Sequence, residues 1–136
     1  MVKSRHIGFL LLMFLPLACK KGGCNVIEQV PVMEQVSMVQ YSALYLPNGV
    51  AEINWGGVAG LIIVNTGRGY VAYDRCSTVN PEERCAVVVE DNGVVARDPC
   101  SGARYVLVNG SPAEIAECPL KPYRARREGE TIIVTN

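Results

Sequence analysis

Six cysteines and a single histidine carry most of the chemistry open to this chain of 136 residues. The reactive types gather in two loops. One runs Asp74-Arg75-Cys76-Ser77-Thr78 and continues to Cys85; the other reads Asp98-Pro99-Cys100-Ser101-Gly102. Cys76, Cys85, Cys100 and Cys118 could in principle supply four thiolates to zinc or to an iron–sulfur cluster. Their spacing argues against it, because structural zinc sites take ligands in close pairs such as Cys-x-x-Cys. Ser77, Thr78 and Ser101 have no histidine nearby to act as base, and no Ser-x-x-Lys pattern is present, so acyl-transfer hydrolysis finds no support. Asp74, Glu82, Glu83 and Asp98 would serve glycoside hydrolysis if two of them were held ~5–10 Å apart. Solvated loops carry such residues routinely, and no enzymatic activity is expected.

These loops need a β framework to hold them. Val50, Glu52 and Asn54 alternate with Ala51, Ile53 and Trp55, as in a half-buried strand. Trp55-Gly56-Gly57-Val58-Ala59-Gly60 has the glycines of a phosphate loop but lacks its Lys-Ser/Thr pair and following helix. It leads instead into the buried strand Leu61-Ile62-Ile63-Val64. Asn65 to Gly69 turns back onto Tyr70–Tyr73. A hairpin about Asp91-Asn92-Gly93 joins Ala86–Glu90 to Val94–Ala96 and separates the two loops. Tyr105–Val108 follows, and Tyr123–Arg127 pairs with Thr131–Val134 across Glu128-Gly129. Earlier, Val26-Ile27, Val30–Val32 and Met38-Val39 read as short extended pieces, with Pro31 marking a sheet edge; Met33, Val36 and Val39 also fit a helical spacing. Short strands with regular turn signals indicate an all-β sandwich or small barrel. Arg124, Arg126 and Arg127 form a local basic cluster, read as a solvated strand face balanced by Glu128 and Glu130.

The first residues have a different purpose. Lys3 and Arg5 precede the apolar run Ile7–Leu17, which has secretory-signal length and is too short to span a bilayer. Leu15-Pro16-Leu17-Ala18-Cys19 resembles the lipobox of bacterial lipoproteins. That resemblance implies cleavage before Cys19 and attachment of a diacylglycerol to its thiol; the alternative is ordinary cleavage near Ala18. Two or more acyl chains anchor a protein stably. No Asp follows Cys19, so an outer-membrane lipoprotein is expected, its face open. The expected division is 1–18 signal peptide, 19–26 lipidated cysteine and tether, and 27–136 a soluble domain. Processing removes Lys3 and Arg5 from thirteen basic side chains and leaves all thirteen acidic ones. A near-neutral domain gives no reason to expect nucleic-acid binding. It also removes His6.

The order of motifs resembles the Rieske family, which holds a 2Fe–2S cluster between two loops with two Cys and two His. That family reads Cys-x-His in its first loop and Cys-x-x-His-Gly-Ser, then an aromatic, in its second. The residues that carry the resemblance are Gly56-Gly57 through Gly60-Leu61-Ile62-Ile63-Val64, Ala72-Tyr73-Asp74-Arg75-Cys76, the loop from Pro99-Cys100 through Gly102 to Tyr105, Asn109-Gly110-Ser111-Pro112 and Leu120-Lys121-Pro122-Tyr123. The chain looks most like degenerate Rieske-fold lipoproteins of the Bacteroidetes group. This implies a Rieske-like β fold of three stacked antiparallel sheets. Matched to the ligand pattern, Cys76 takes the first Cys position, Thr78 the first His, Asp98 the second Cys and Ser101 the second His. One ligand of four survives, and after processing no imidazole remains, so no 2Fe–2S or zinc cofactor is expected. The alternative is a redox or metal protein with atypical ligands. Many Rieske domains tie their loops with a disulfide, which here implies Cys85 with Cys100. Cys76 with Cys118 would then leave Cys24 free, a connectivity the sequence leaves open. A structural or interaction module at the envelope, binding an envelope protein or glycan, is the function this implies.

Overall fold

The computed structural model describes residues 23–136. The expected signal peptide and Cys19 lie outside the described residues. Ten strands follow in order: β1 (Met33–Ser37), β2 (Val50–Ile53), β3 (Leu61–Asn65), β4 (Tyr70–Asp74), β5 (Val88–Val89), β6 (Val95–Arg97), β7 (Arg104–Val106), β8 (Pro112–Glu114), β9 (Pro122–Glu128) and β10 (Thr131–Thr135). Two 3-10 turns, Ser42–Tyr45 and Pro81–Glu83, complete the regular structure. None of the described helices is long and apolar enough to cross a membrane.

All pairings are antiparallel. One sheet has six strands in the order β1-β10-β9-β4-β3-β2, and a second has four in the order β5-β6-β7-β8. The expected three sheets are recognisable, but two of them are joined. β9 pairs with β10 from Arg124 to Glu128, and its first two residues pair instead with β4, Tyr123 opposite Ala72 and Pro122 opposite Tyr73.

β3 shows why the run Leu61–Val64 carries no polar residue. Side chains alternate across a strand, and here both faces are covered. Leu61 and Ile63 enter a core with Val36, Met38, Leu44, Ile53, Ile132 and Val134, while Ile62 and Val64 enter a second core with Val87, Ala96, Tyr105, Leu107 and Leu120. A strand buried on both sides reads as continuously apolar. The second core joins the two sheets and lies directly beneath the two loops.

The N-terminal part differs from the expectation. The strand lies at Met33–Ser37, not at Val26-Ile27, Val30–Val32 or Met38-Val39, and it is an edge strand, with Pro31 just before it. Met33 and Val39 are exposed while Val36 is fully buried, which removes the helical reading. β1 forms because β10 would otherwise present an unpaired edge; Met33 sits opposite Thr135 and Ser37 opposite Thr131.

Candidate functional site

The first loop is organised by Asp74, the last residue of β4. Its carboxylate is completely buried and accepts four hydrogen bonds. Val58 N–H donates at 2.6 Å, Ala59 N–H at 3.1 Å, Cys76 N–H at 2.8 Å and the Tyr123 hydroxyl at 2.7 Å. The glycine-rich turn before β3 therefore does wrap an anion, but the anion is internal. Gly57 is required there: its φ is +60°, and a Cβ would collide with the Asp74 carboxylate. At Gly60, φ +97°, a Cβ would collide with the Ile53 carbonyl oxygen.

Arg75 fastens the loop sideways. Its guanidinium donates to Val87 O at 3.0 Å, Asn54 Oδ1 at 2.7 Å and Glu52 Oε1 at 2.8 Å. Glu52 in turn accepts from Val89 N–H at 3.0 Å, so this ion pair bridges β2 and β5. Beyond it the loop closes as a small hairpin. Val87 N–H donates to Arg75 O, Cys76 lies opposite Ala86, and Ser77 N–H donates to Cys85 O. The residues between Cys76 and Cys85 are the arms of this hairpin and its 3-10 tip.

Tyr105, projecting from β7 and fully buried, fills the space between the loops. Its hydroxyl accepts from Thr78 N–H at 3.1 Å and lies 2.9 Å from Thr78 Oγ1 and 3.2 Å from Ser77 Oγ. Thr78 Oγ1 donates to Cys118 O at 2.8 Å, leaving its lone pairs to the tyrosine. In the second loop Asp98, also completely buried, accepts from Cys100 N–H at 2.8 Å and from the Ser101 hydroxyl. Ser101 Oγ accepts from Ala103 N–H at 3.1 Å. Among the described residues no buried side-chain N or O lacks a partner.

The structure thus brings Cys76, Thr78, Asp98 and Ser101 to two adjoining loops and engages each of them internally. The Cys76 thiol is fully buried, with its sulfur 3.7 Å from Ser77 O and 3.6 Å from Pro81 O. Burial first, then the Asp74 carboxylate, pushes its pKa up to about 11, so the thiol keeps its proton at neutral pH. Thr78 and Ser101 offer hydroxyls already in use. No histidine stands between residues 7 and 136. This donor set does not fit the two-thiolate, two-imidazole pattern of a Rieske centre.

Cys85 and Cys100 are joined by a disulfide, Cα to Cα 6.3 Å, across the tips of the two loops. Cys118 is bonded to Cys24, Cα to Cα 5.2 Å, and not to Cys76; the free thiol among the described cysteines is Cys76. The connectivity that the sequence leaves open is thus Cys24–Cys118 with Cys76 unpaired. The N-terminal segment is stapled to the loop before β9, and Ile27 is buried there. It also takes apart the four-thiolate arrangement, since three of those four sulfurs are in disulfides. The carboxylates expected near the loops separate likewise: Asp74 and Asp98 are inside, while Glu82 and Glu83 are exposed on the 3-10 tip.

Asp98 carries a pH signature. Burial alone would raise its pKa, but the Ser101 and Ser77 hydroxyls and the backbone N–H groups of Cys100 and Ser101 together outweigh it, and the net shift is downward. A depressed folded-state pKa stabilises the fold fully above the ordinary value near ~4 and loses that contribution as pH falls through the lower folded value. Wild type is therefore expected to lose stability below about pH 4 more steeply than Asp98→Asn. Urea unfolding of both proteins across that range checks it; parallel curves would show that Asp98 is not held as an anion.

The basic cluster is solvated, as expected. Arg126 pairs with Glu128 at 2.8 Å on the surface, Arg127 donates to Gly129 O, and its guanidinium lies 5.6 Å from the centre of the Tyr45 ring. The sequence reading missed Asp74 and Tyr105 as centres of the site. The signal available was a charged pair, Asp74-Arg75, continuing a buried strand, and the aromatic that ends the second-loop motif.

No protein-family model matches the chain, and no curated protein does. Solved structures do match. The plasma-membrane Rieske protein of the cyanobacterium Synechocystis PCC 6803 is 22% identical, with a TM-score of 0.56, over 79% of this chain and 100% of the other. The ferredoxin of carbazole 1,9a-dioxygenase from Nocardioides aromaticivorans IC177 is 18% identical, with a TM-score of 0.51, over 79% of this chain and 98% of the other. At these identities the likeness concerns the fold, and the fold is a Rieske-like β domain.

Proposed function

We propose that this chain is a cell-envelope lipoprotein whose Rieske-like domain has lost the 2Fe–2S ligands and works as a structural or interaction module. One observation carries the reading: the four ligand positions are taken by a buried protonated thiol and by oxygens already committed to Tyr105, Asp98 and the backbone. The two loop tips are tied by sulfur, which holds the scaffold without a metal. Two acidic groups that could have served catalysis are sealed from solvent, which favours binding over turnover. On this reading Cys19 carries the lipid, the domain sits at the outer membrane, and its partner is an envelope protein or glycan, not a nucleic acid.

Palmitate labelling and fractionation of producing cells test the anchoring. The full chain is expected in the membrane fraction with label, and Cys19→Ser unlabelled and released. Label that survives the substitution would defeat the lipoprotein reading. Crosslinking of intact cells tests the rest: the wild type should yield a discrete adduct that Cys19→Ser loses, and a protein that crosslinks to nothing would count against an interaction role.

A further inference from the structure

We propose that reduction of the Cys85–Cys100 disulfide uncovers a zinc site formed by the two released thiolates and the Glu83 carboxylate. This goes beyond the function proposed above, which concerns the oxidised domain, and uses none of the four vestigial ligand positions.

Three donor atoms, one each from Glu83, Cys85 and Cys100, lie within 4.8 Å of one another. Two come from the first-loop tip and one from the second, so a metal there would bridge the loops as the disulfide does. Glu83 is held in place by the 3-10 turn Pro81–Glu83, its N–H donating to Asn80 O at 3.0 Å. The adjacent cation does not neutralise it, because Arg84 reaches away to Glu28 at 3.0 Å. Among the described residues Glu83 enters no ion pair. An unpaired carboxylate beside two sulfurs is a soft–hard donor set that suits zinc, with water in the fourth position. Cys100 is exposed, so a reductant can reach the bond. In a tetrahedral site the sulfurs would stand ~3.8 Å apart, given Zn–S bonds of about 2.3 Å, a small opening of the two tips.

The chemistry balances with a dithiol as reductant. Its two S–H groups become a disulfide, supplying two electrons and two protons; the Cys85–Cys100 S–S bond breaks and both sulfurs leave as thiols. Zinc then replaces those two protons, which pass to solvent. Cys76 stays outside the site, its thiol turned to the Ser77 and Pro81 carbonyls.

The test is metal titration of the chain, oxidised and dithiol-reduced, with zinc for stoichiometry and cobalt for the thiolate charge-transfer band that counts bound sulfurs. Reduction also frees Cys24 and Cys118, so Cys24→Ser with Cys118→Ser is run beside the wild type. One zinc with two thiolates is expected on each reduced protein and none on the oxidised wild type. Glu83→Gln removes a direct ligand and should weaken binding by at least about tenfold, the low end of what losing even an outer-shell partner costs. Uptake by the reduced chain that survives Cys85→Ser with Cys100→Ser would overturn the proposal. So would equal uptake by the oxidised protein, or a reduced wild type that takes no zinc, folded or not.

Discussion

Asp74→Ala is expected to cost about 3–5 kcal/mol of folding free energy, because several donors lose their acceptor at about 1–3 kcal/mol each. The cost comes from orphaned partners. Three backbone N–H groups, from Val58, Ala59 and Cys76, and the Tyr123 hydroxyl all point at this carboxylate. Removing it leaves four donors without their acceptor, each buried group left unpaired costing about 1–3 kcal/mol. Relaxation of the glycine turn offsets part of that. Tyr123→Phe removes one donor and keeps the anion, so it should cost less, about 1.5–3 kcal/mol. Urea unfolding measures both. If Asp74→Ala unfolded with a midpoint near wild type, the first loop would not be built on this residue.

The two disulfides should differ in worth. Cys24–Cys118 closes a separation of 94 residues and Cys85–Cys100 one of 15. In the chain-entropy account the first contributes about 4–5 kcal/mol and the second about 3 kcal/mol. Against the ~5–15 kcal/mol of a whole domain, losing both would leave it close to unfolding. Serine pairs at each bridge, compared by urea denaturation under oxidising conditions, give the ranking. A proteolytic disulfide map of the same material decides the pairing: Cys76 is expected to alkylate only after denaturation. A Cys76–Cys118 peptide would contradict the structure.

Much of the framework could be read from the chain, for identifiable reasons. β3, β4, β9 and β10 combine apolar runs or alternation with glycine turns, and all four fall where the patterns put them. β8 could not be read. Pro112-Ala113-Glu114 has no strand pattern and exists because β7 has an edge to pair. β1 was displaced for a similar reason, its position being set by β10 in register, about a hundred residues away. The site divides along the same line. The two loops and their ligand-like positions were legible because they are local motifs. The contacts that fill them are not local: Thr78 to Tyr105 spans 27 residues, Thr78 to Cys118 spans 40, and Asp74 to Tyr123 spans 49. Nor does spacing reveal that Cys24 reaches Cys118, a bond across 94 residues that joins the segment with the buried Ile27 to the loop before β9.

All of this turns on whether the space between the two loops belongs to the protein's own hydrogen bonds or to a cluster. Reconstitution with iron and sulfide under anaerobic conditions, followed by iron and acid-labile sulfide assays and the visible and electron paramagnetic resonance spectra, asks that directly. The expected outcome is a colourless domain with iron far below one atom per chain and no signal on reduction. Two irons and two sulfides per chain, with a spectrum that responds to dithionite, would contradict it.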